Sequence, residues 1–481
     1  MNFTKLKHRL CFAVALGLVA AACAAPSKPN IILIYSDDHG YADLGAQGTD
    51  PDIRTPNLDA LVQNGVRFSR GYVSAPQCVP SRAGVLTGRY QQRFGLEENG
   101  NGSLPASEVT IAERLKSAGY TTGQVGKWHM SGNIRDASQM KPRILDLYPG
   151  GQGFDEYYTG QLNSYVASHD LKGNRYSDAP RFVEDTRFRI LWQTEAALSF
   201  IDRHAEAPFF MYLAYYAPHV PLESPEPWFS KSPKHLPLER RQALAMIACM
   251  DEGIGQIRAK LRAQGIEKNT LIIFVGDNGA PLQKWDGSLN TPLVGEKGML
   301  TDGGIRVPFV AEWPGTFPAG KVYDAPVINL DIAASAVALA GLPHDPVLEG
   351  VNLVPFVTGE KRGQPHETLF WRWQSQAAVR DDRWKLILVG NDKFLFDLNK
   401  PDGDSELAKN NQLEKHPEIA VALEKKLMAW NATLPPPRLP RPPTVHNQSW
   451  FDANVREIGP TRKNGVPAAL RNKGAEGGDR D

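Results

Sequence analysis

Short unbroken apolar runs alternate with amphipathic stretches through the first three quarters of this chain. The runs are Asn30–Tyr35 (NIILIY), Phe209–Tyr215 (FFMYLAY), Thr270–Val275 and Val307–Trp313. A strand with one wet face alternates polar and apolar residues, so an unbroken run predicts a strand buried on both faces. Val66–Phe68 and Thr121–Val125 read as further strands. Helical spacing is clearest in Glu239–Gln264, where Leu244, Ile247, Ile254, Ile257 and Leu261 share one face before Gly265 stops the helix. Leu58–Val62, Thr110–Ala118, Thr194–His204 and Asp331–Leu339 are also expected to be helical. From Met130 to Arg187 there is no clear period, and long loops are expected. This alternation predicts an α/β fold: a large, mostly parallel sheet sandwiched by helices.

The pattern changes near Glu367. Leu369–Gln374, Ala377–Arg380, Trp384–Val389 and Phe394–Leu398 are short and separated by turns, and a helix at Glu418–Ala429 follows. This predicts a smaller C-terminal antiparallel sheet plus helix. Pro435–Pro443 reads as extended, and the polar, Gly-rich tail reads as flexible. The expected organisation is a signal peptide at 1–25, a main α/β domain at 26–360, the antiparallel-sheet subdomain at 361–455 and a tail at 456–481.

The export signal rests on Lys5, Lys7, His8 and Arg9 preceding the apolar run Leu10–Ala22, with cleavage near Ala24 or Ala25. That run is too short to span a membrane. The protein is therefore expected to be periplasmic or secreted, without stable membrane insertion. A lipid anchor on Cys23 is the alternative. Of four cysteines, Cys11 and Cys23 lie in the signal, leaving Cys78 and Cys249 with no disulfide framework. Cys249 sits in a helical pattern and is expected in the core. The net charge of +1 argues against nucleic acid as a partner and leaves any charged substrate to a local cluster.

The strand ends carry the candidate chemistry. They read DDHG (Asp37–Gly40), GKWH (Gly126–His129), APH (Ala217–His219) and GDNG (Gly276–Gly279). In such sheets ligands bind at the carboxyl ends of the strands. Asp37, Asp38, Asp277 and Asn278 are hard oxygen donors that suit Ca²⁺ or Mg²⁺. No His or Cys cluster offers a tetrahedral zinc site. Lys127 and His129, two apart, would face the same way on an extended segment. Lys127, Lys297 and Arg82 could neutralise an anionic ester, and His129 and His219 could move protons. His39 is assigned no role. Cys78 precedes Pro80, Ser81 and Arg82 at the start of a helix, where backbone N–H groups favour an anion. Taken alone, each of these residues also has a structural reading: a core cysteine, turn carboxylates, solvated lysines.

The string Cys78-Val79-Pro80-Ser81-Arg82-Ala83, together with these strand ends, resembles the formylglycine-dependent (type I) sulfatases of the alkaline-phosphatase-like superfamily. The resemblance runs from about Asn30 to Pro308 and continues more weakly through the C-terminal sheet. It implies that a maturation enzyme converts Cys78 to formylglycine. It also implies that Asp37, Asp38, Asp277, Asn278 and the converted Cys78 hold one Ca²⁺. Arg82, Lys127 and Lys297 would hold sulfate, His219 would protonate the leaving alcohol, and His129 would deprotonate the remaining hydroxyl. Gly88–Gly95 and Asn290–Leu293 look similar to sulfatases of marine carrageenan and galactan degradation, and Trp371 and Trp373 could form a sugar platform or pack in the core. A sulfated glycan is the expected substrate. An arylsulfatase of small esters, a phosphate or phosphonate ester hydrolase, and a non-catalytic glycan-binding protein are the alternatives.

Overall fold

The computed structural model describes residues 28–436, except residues 101, 132–133, 135, 282–286, 375, 391 and 400–405. The expected signal peptide, most of the proline-rich segment and the tail lie outside the described residues. The strands are β1 (Asn30–Asp37), β2 (Val66–Phe68), β3 (Gly71–Tyr72), β4 (Thr121–Gly126), β5 (Glu156–Gln161), β6 (Ser164–Ala167), β7 (Arg181–Glu184), β8 (Phe209–Pro218), β9 (Thr270–Gly276), β10 (Phe309–Glu312), β11 (Lys321–Tyr323), β12 (Val327–Ile328), β13 (Leu369–Trp373), β14 (Gln376–Arg380), β15 (Trp384–Val389) and β16 (Asp392–Asp397).

Among the described residues, the large sheet has ten strands in the order β11-β2-β10-β9-β1-β8-β4-β5-β6-β7. Its centre, from β9 to β5, is parallel throughout. The flanks are mixed, because β10 runs antiparallel to both its neighbours and β6 and β7 are antiparallel additions. Every residue of β1 is buried. Ile31, Leu33 and Tyr35 enter one core, with the helices Cys78–Thr87, Ile111–Ser117 and Asp331–Leu339. Ile32 and Ile34 enter the other, with the helices Pro56–Asn64, Arg189–His204 and Leu238–Ala263. Successive side chains of a strand point to opposite faces, so a strand between two helical layers must be apolar at every position.

The loops expected between Met130 and Arg187 are a correction. This stretch supplies β5, β6 and β7, which widen the sheet. They escaped the hydrophobic pattern because they lie toward the sheet's edge; no residue of β7 is fully buried. The helix expected from Thr194 begins earlier, at Arg189, and Cys249 is in the core as expected.

The C-terminal sheet is antiparallel in the order β13-β14-β15-β16, followed by the helix Pro417–Ala432. It is fastened to the large sheet's layer by buried polar groups. Lys385 Nζ reaches Asp302 Oδ1 at 2.8 Å and Glu406 Oε1 at 2.7 Å. Trp371 lies in the same seam, fully buried, tilted against Tyr72 with ring centroids 5.4 Å apart, and its Nε1 donates to the Val73 carbonyl at 2.8 Å. Trp371 is therefore a core residue and is not available as a sugar platform. Trp371→Ala should lower the unfolding free energy by about 3–5 kcal/mol through the cavity it leaves. Denaturant unfolding measures this, and a loss below about 1 kcal/mol would mean that the seam is not packed as described.

Candidate active site

Strands β9, β1, β8 and β4 lie side by side and parallel, so their carboxyl ends emerge at one edge of the sheet. This brings Asp277 and Asn278, Asp37 and Asp38, His219, and Lys127 to one place. The ladder is irregular between Tyr35 and Asp37 on the β8 side, and Asp38 has a positive φ of 56°. The chain turns there instead of extending the strand. Asp38 N–H donates to Asp277 Oδ1 at 2.9 Å, and Asn278 Nδ2 donates to Asp38 Oδ1 at 2.7 Å. The Asp37–Asp38 pair and the Asp277–Asn278 pair are thereby locked across the β1–β9 junction.

Cys78 is the first residue of its helix, which therefore starts ahead of Pro80. Its Sγ lies 3.5 Å from Asp37 Oδ1 and 3.8 Å from Asp38 Oδ1. Ligand atoms of Asp37, Asp38, Cys78 and His219 all lie within 4.8 Å of one another. His219 thus joins a donor group that sequence reasoning had confined to Asp, Asn and Cys. The helix N-terminus contributes less positive potential than expected. Val79 N–H already donates to Asn99 Oδ1 at 3.1 Å, Pro80 has no N–H, and Ser81 N–H bonds Gln77 O. Asn99 carries no motif, and nothing in the sequence marked it. Ser81 points away from Cys78 into the core, where its Oγ meets Tyr35 Oη at 2.8 Å.

Cationic side chains compensate the carboxylates. Arg82, fully buried, reaches Asp277 Oδ2 at 2.7 Å and Asp37 Oδ1 at 3.2 Å. Lys127 Nζ lies 2.8 Å from Asp37 Oδ2, and Lys297 Nζ lies 3.0 Å from Asp38 Oδ2. Tyr212 Oη accepts from Arg82 at 3.3 Å, and the Tyr216 ring faces Lys127 Nζ at 5.3 Å. Burial alone would raise the Asp37 pKa, but Lys127, His219 and Arg82 hold it well below the usual range. Asp277, buried beside Asp37, is pushed up to about 7. Burial and the Asp277 charge push the Cys78 thiol well up, so the unmodified cysteine is a poor nucleophile here.

His219 Nδ1 lies 2.6 Å from the Val220 carbonyl, which can only accept, so Nδ1 carries a hydrogen. Nε2 is then the titrating atom, and it faces Asp38 Oδ2 at 3.6 Å. Burial and the Lys127 charge lower its pKa, against the pull of Asp37 and Asp38. The extended segment expected to align Lys127 with His129 is not there: Gly126 has φ 95° and His129 φ 61°. Lys127 enters the cluster, while His129, partly buried, sits on left-handed backbone two residues on. Left-handed backbone at a residue other than glycine is sparsely populated and gathers at functional sites. His39 is a packing residue, buried with its Nε2 on Asp43 O at 2.7 Å and its ring edge on Phe274.

The residues present fit a hard divalent cation. Asn278 Oδ1 is buried and has no hydrogen-bond partner among the described residues, beside three carboxylates. The donor set is oxygen-rich, as Ca²⁺ or Mg²⁺ requires. Three carboxylates face three permanent cations, so a divalent ion would leave the cluster net positive and ready for an anion.

The strings Gly88–Gly95 and Asn290–Leu293 are tied into the fold at Gln91, Gln92 and Asn290. Gln91 Nε2 donates to Ser74 O and Gln92 Nε2 to Arg372 O, and Asn290 bonds both the N–H and the carbonyl of Ala280. Trp373, 8% exposed, packs over Gly298 beside Lys297.

Comparison with known proteins follows this geometry. The Sulfatase family model matches residues 29–342, and a model of the N-sulphoglucosamine sulphohydrolase C-terminal region matches residues 295–433. The chain is 34% identical over 409 residues to N-acetylgalactosamine-6-sulfatase of Mus musculus, covering 78% of this chain and 74% of that protein. It is 30% identical over 446 residues to arylsulfatase J of Mus musculus, covering 86% and 73%. The solved structure of Ps i-CgsB superposes with a TM-score of 0.74 at 30% identity, covering 88% of this chain and 97% of that one. A complex of the same protein with k-i-k-neocarrahexaose gives 0.73 at 29%, with the same coverage. A phosphonate monoester hydrolase of Agrobacterium radiobacter shares the fold, with a TM-score of 0.62 at 22% identity over 84% of this chain and 95% of that one. Residues 29–342 take in every strand end that builds the site, and the chain accordingly belongs to the sulfatase family of sulfuric ester hydrolases.

Proposed function

We propose that this protein is an exported sulfatase that hydrolyses sulfate monoesters on a sulfated polysaccharide or its oligosaccharides, of carrageenan or galactan type. Its nucleophile is formylglycine made from Cys78 by a maturation enzyme, and its metal is one Ca²⁺. The single observation that carries the reading is the convergence of Cys78 with Asp37, Asp38 and His219 inside a ring formed by Arg82, Lys127 and Lys297. The bound neocarrahexaose in a structural neighbour supports the glycan class.

Asp37, Asp38, Asp277, Asn278 and the converted residue 78 would hold the ion. When bound, it withdraws charge from the oxygens it faces and makes a hydroxyl there easier to ionise. Formylglycine would supply a hydrated aldehyde, whose one hydroxyl would serve as nucleophile and whose other would allow sulfate to leave without water attacking sulfur. The remaining work falls to this chain's side chains. Arg82, Lys127 and Lys297 neutralise the sulfate oxygens in a buried, low-dielectric setting, where fixed charge is most effective. His219 Nε2 gives its proton to the leaving alcohol. His129 takes the proton of the remaining hydroxyl.

Sulfate release should be measured on carrageenan, ulvan, heparan and chondroitin oligosaccharides, beside small aryl sulfates and phosphate esters. Release from carrageenan-type oligosaccharides is expected, and turnover of aryl sulfates alone would contradict the polysaccharide reading. Preference for phosphate esters would favour the hydrolase alternative that shares this fold. Lys127→Ala should lower kcat/KM by about 10²–10³-fold, the usual loss of one preorganised charge at a reacting centre. Chelation should abolish activity, and Ca²⁺ should restore it better than Zn²⁺, given the oxygen ligands. Equal rescue by Zn²⁺ would count against the assigned ion.

A further inference from the structure

The turn that carries Lys297 is held in place by the C-terminal sheet. Lys297 N–H donates to Ala280 O at 3.0 Å, and Gly298 N–H donates to Pro76 O at 2.9 Å, two residues before Cys78. Gly295 and Gly298 have φ of 94° and 84°, so the turn has no regular secondary structure to fix it. Gln376, the first residue of β14, supplies the next constraints. Its Oε1 accepts from Leu300 N–H at 3.0 Å, and its Nε2 donates to Gly298 O at 3.0 Å. It is 4% exposed, so both ends of one buried amide are spent on this turn. Trp373, which pairs with Gln376 across the β13–β14 hairpin, covers Gly298: a Cβ there would sit 3.3 Å from the indole.

We propose that Gln376 is a positioning residue for catalysis. It fixes the backbone from Gly298 to Leu300 and thereby sets where Lys297 Nζ lies, 3.0 Å from Asp38 Oδ2. This rests on the reading of Lys297 as a group that holds the sulfate. The Lys297 stem is held at its far end by Asp38 and at its near end by the backbone, so a shift of the turn changes how far past Asp38 the ammonium can reach. Only an amide meets the turn correctly, oxygen toward an N–H and NH₂ toward a carbonyl. Glutamate would set a carboxylate against Gly298 O, and methionine would offer neither bond. The C-terminal sheet thus contributes to the anion site without touching the substrate.

The test is a double-mutant cycle on protein converted at residue 78, verified by peptide mass, with sulfate release and melting temperature read together. Gln376→Met should lower kcat/KM about 10- to 100-fold, the scale of loss from a misplacement of about 1 Å. In a Lys297→Ala background the same change should cost less than about threefold, because the group it positions is gone. Gln376→Glu keeps the acceptor for Leu300 N–H but sets a carboxylate against Gly298 O, so it should lose at least as much as Gln376→Met and show the same non-additivity, with the melting temperature reporting any folding defect. Equal losses in both backgrounds that follow the melting temperature would overturn the inference and leave Gln376 a stability residue. Full activity in Gln376→Met with Lys297→Ala inactive would overturn it while leaving the Lys297 reading intact. Full activity in Lys297→Ala would overturn both.

Discussion

Three buried carboxylates share one small volume, and the structure there is arranged around making that tolerable. Two like charges about 4 Å apart repel by about 4 kcal/mol even at an effective dielectric of about 20. Asp37, Asp38 and Asp277 come from the ends of two adjacent parallel strands, so their crowding is built into the sheet. Arg82 reaches in from the cysteine helix, Lys127 from the end of β4 and Lys297 from the turn beyond β9. Even so, burial first and the Asp37 charge second push Asp277 up to about 7. A hard divalent ion would complete the compensation and reverse the sign of the site.

Much of this was legible in the sequence because the centre of the sheet is buried on both faces. Runs such as Asn30–Tyr35 have few alternatives, and the polar residues that end them must emerge at the sheet's edge. Asp37, Asp38, Lys127, His219, Asp277 and Asn278 were placed by that reasoning, and Cys78 and Arg82 by their local string. What the hydrophobic pattern missed lies toward one edge of the sheet and in the turns. Strands β5 to β7 widen the sheet from a stretch with no apolar period. His129 was assumed to extend the strand with Lys127, but the positive φ of Gly126 and His129 turns the chain. A glycine before a lysine was the available signal for that turn.

Contacts between distant segments were not legible at all. Asn99 caps the cysteine helix from 20 residues away, and Gln376 braces Leu300 from 76 away. Neither has a motif, because each matters only through the backbone group it meets. The same holds for Trp371. Its composition suited a sugar platform, while its place in the seam with Tyr72 and Val73 makes it part of the core. Family membership carries the reaction class further than geometry alone could, since related folds also cleave phosphonates. Geometry in turn says which side chains of this chain can meet an anion.

The central claim is that residue 78, once converted, turns over sulfate esters inside this charged ring. Its most direct test is inorganic sulfate released from a sulfated oligosaccharide by purified, converted protein, compared with Cys78→Ala prepared identically. Sustained release by the first and none by the second is the result expected. Equal release by both, or none by a protein whose Cys78 peptide carries the aldehyde, would contradict it.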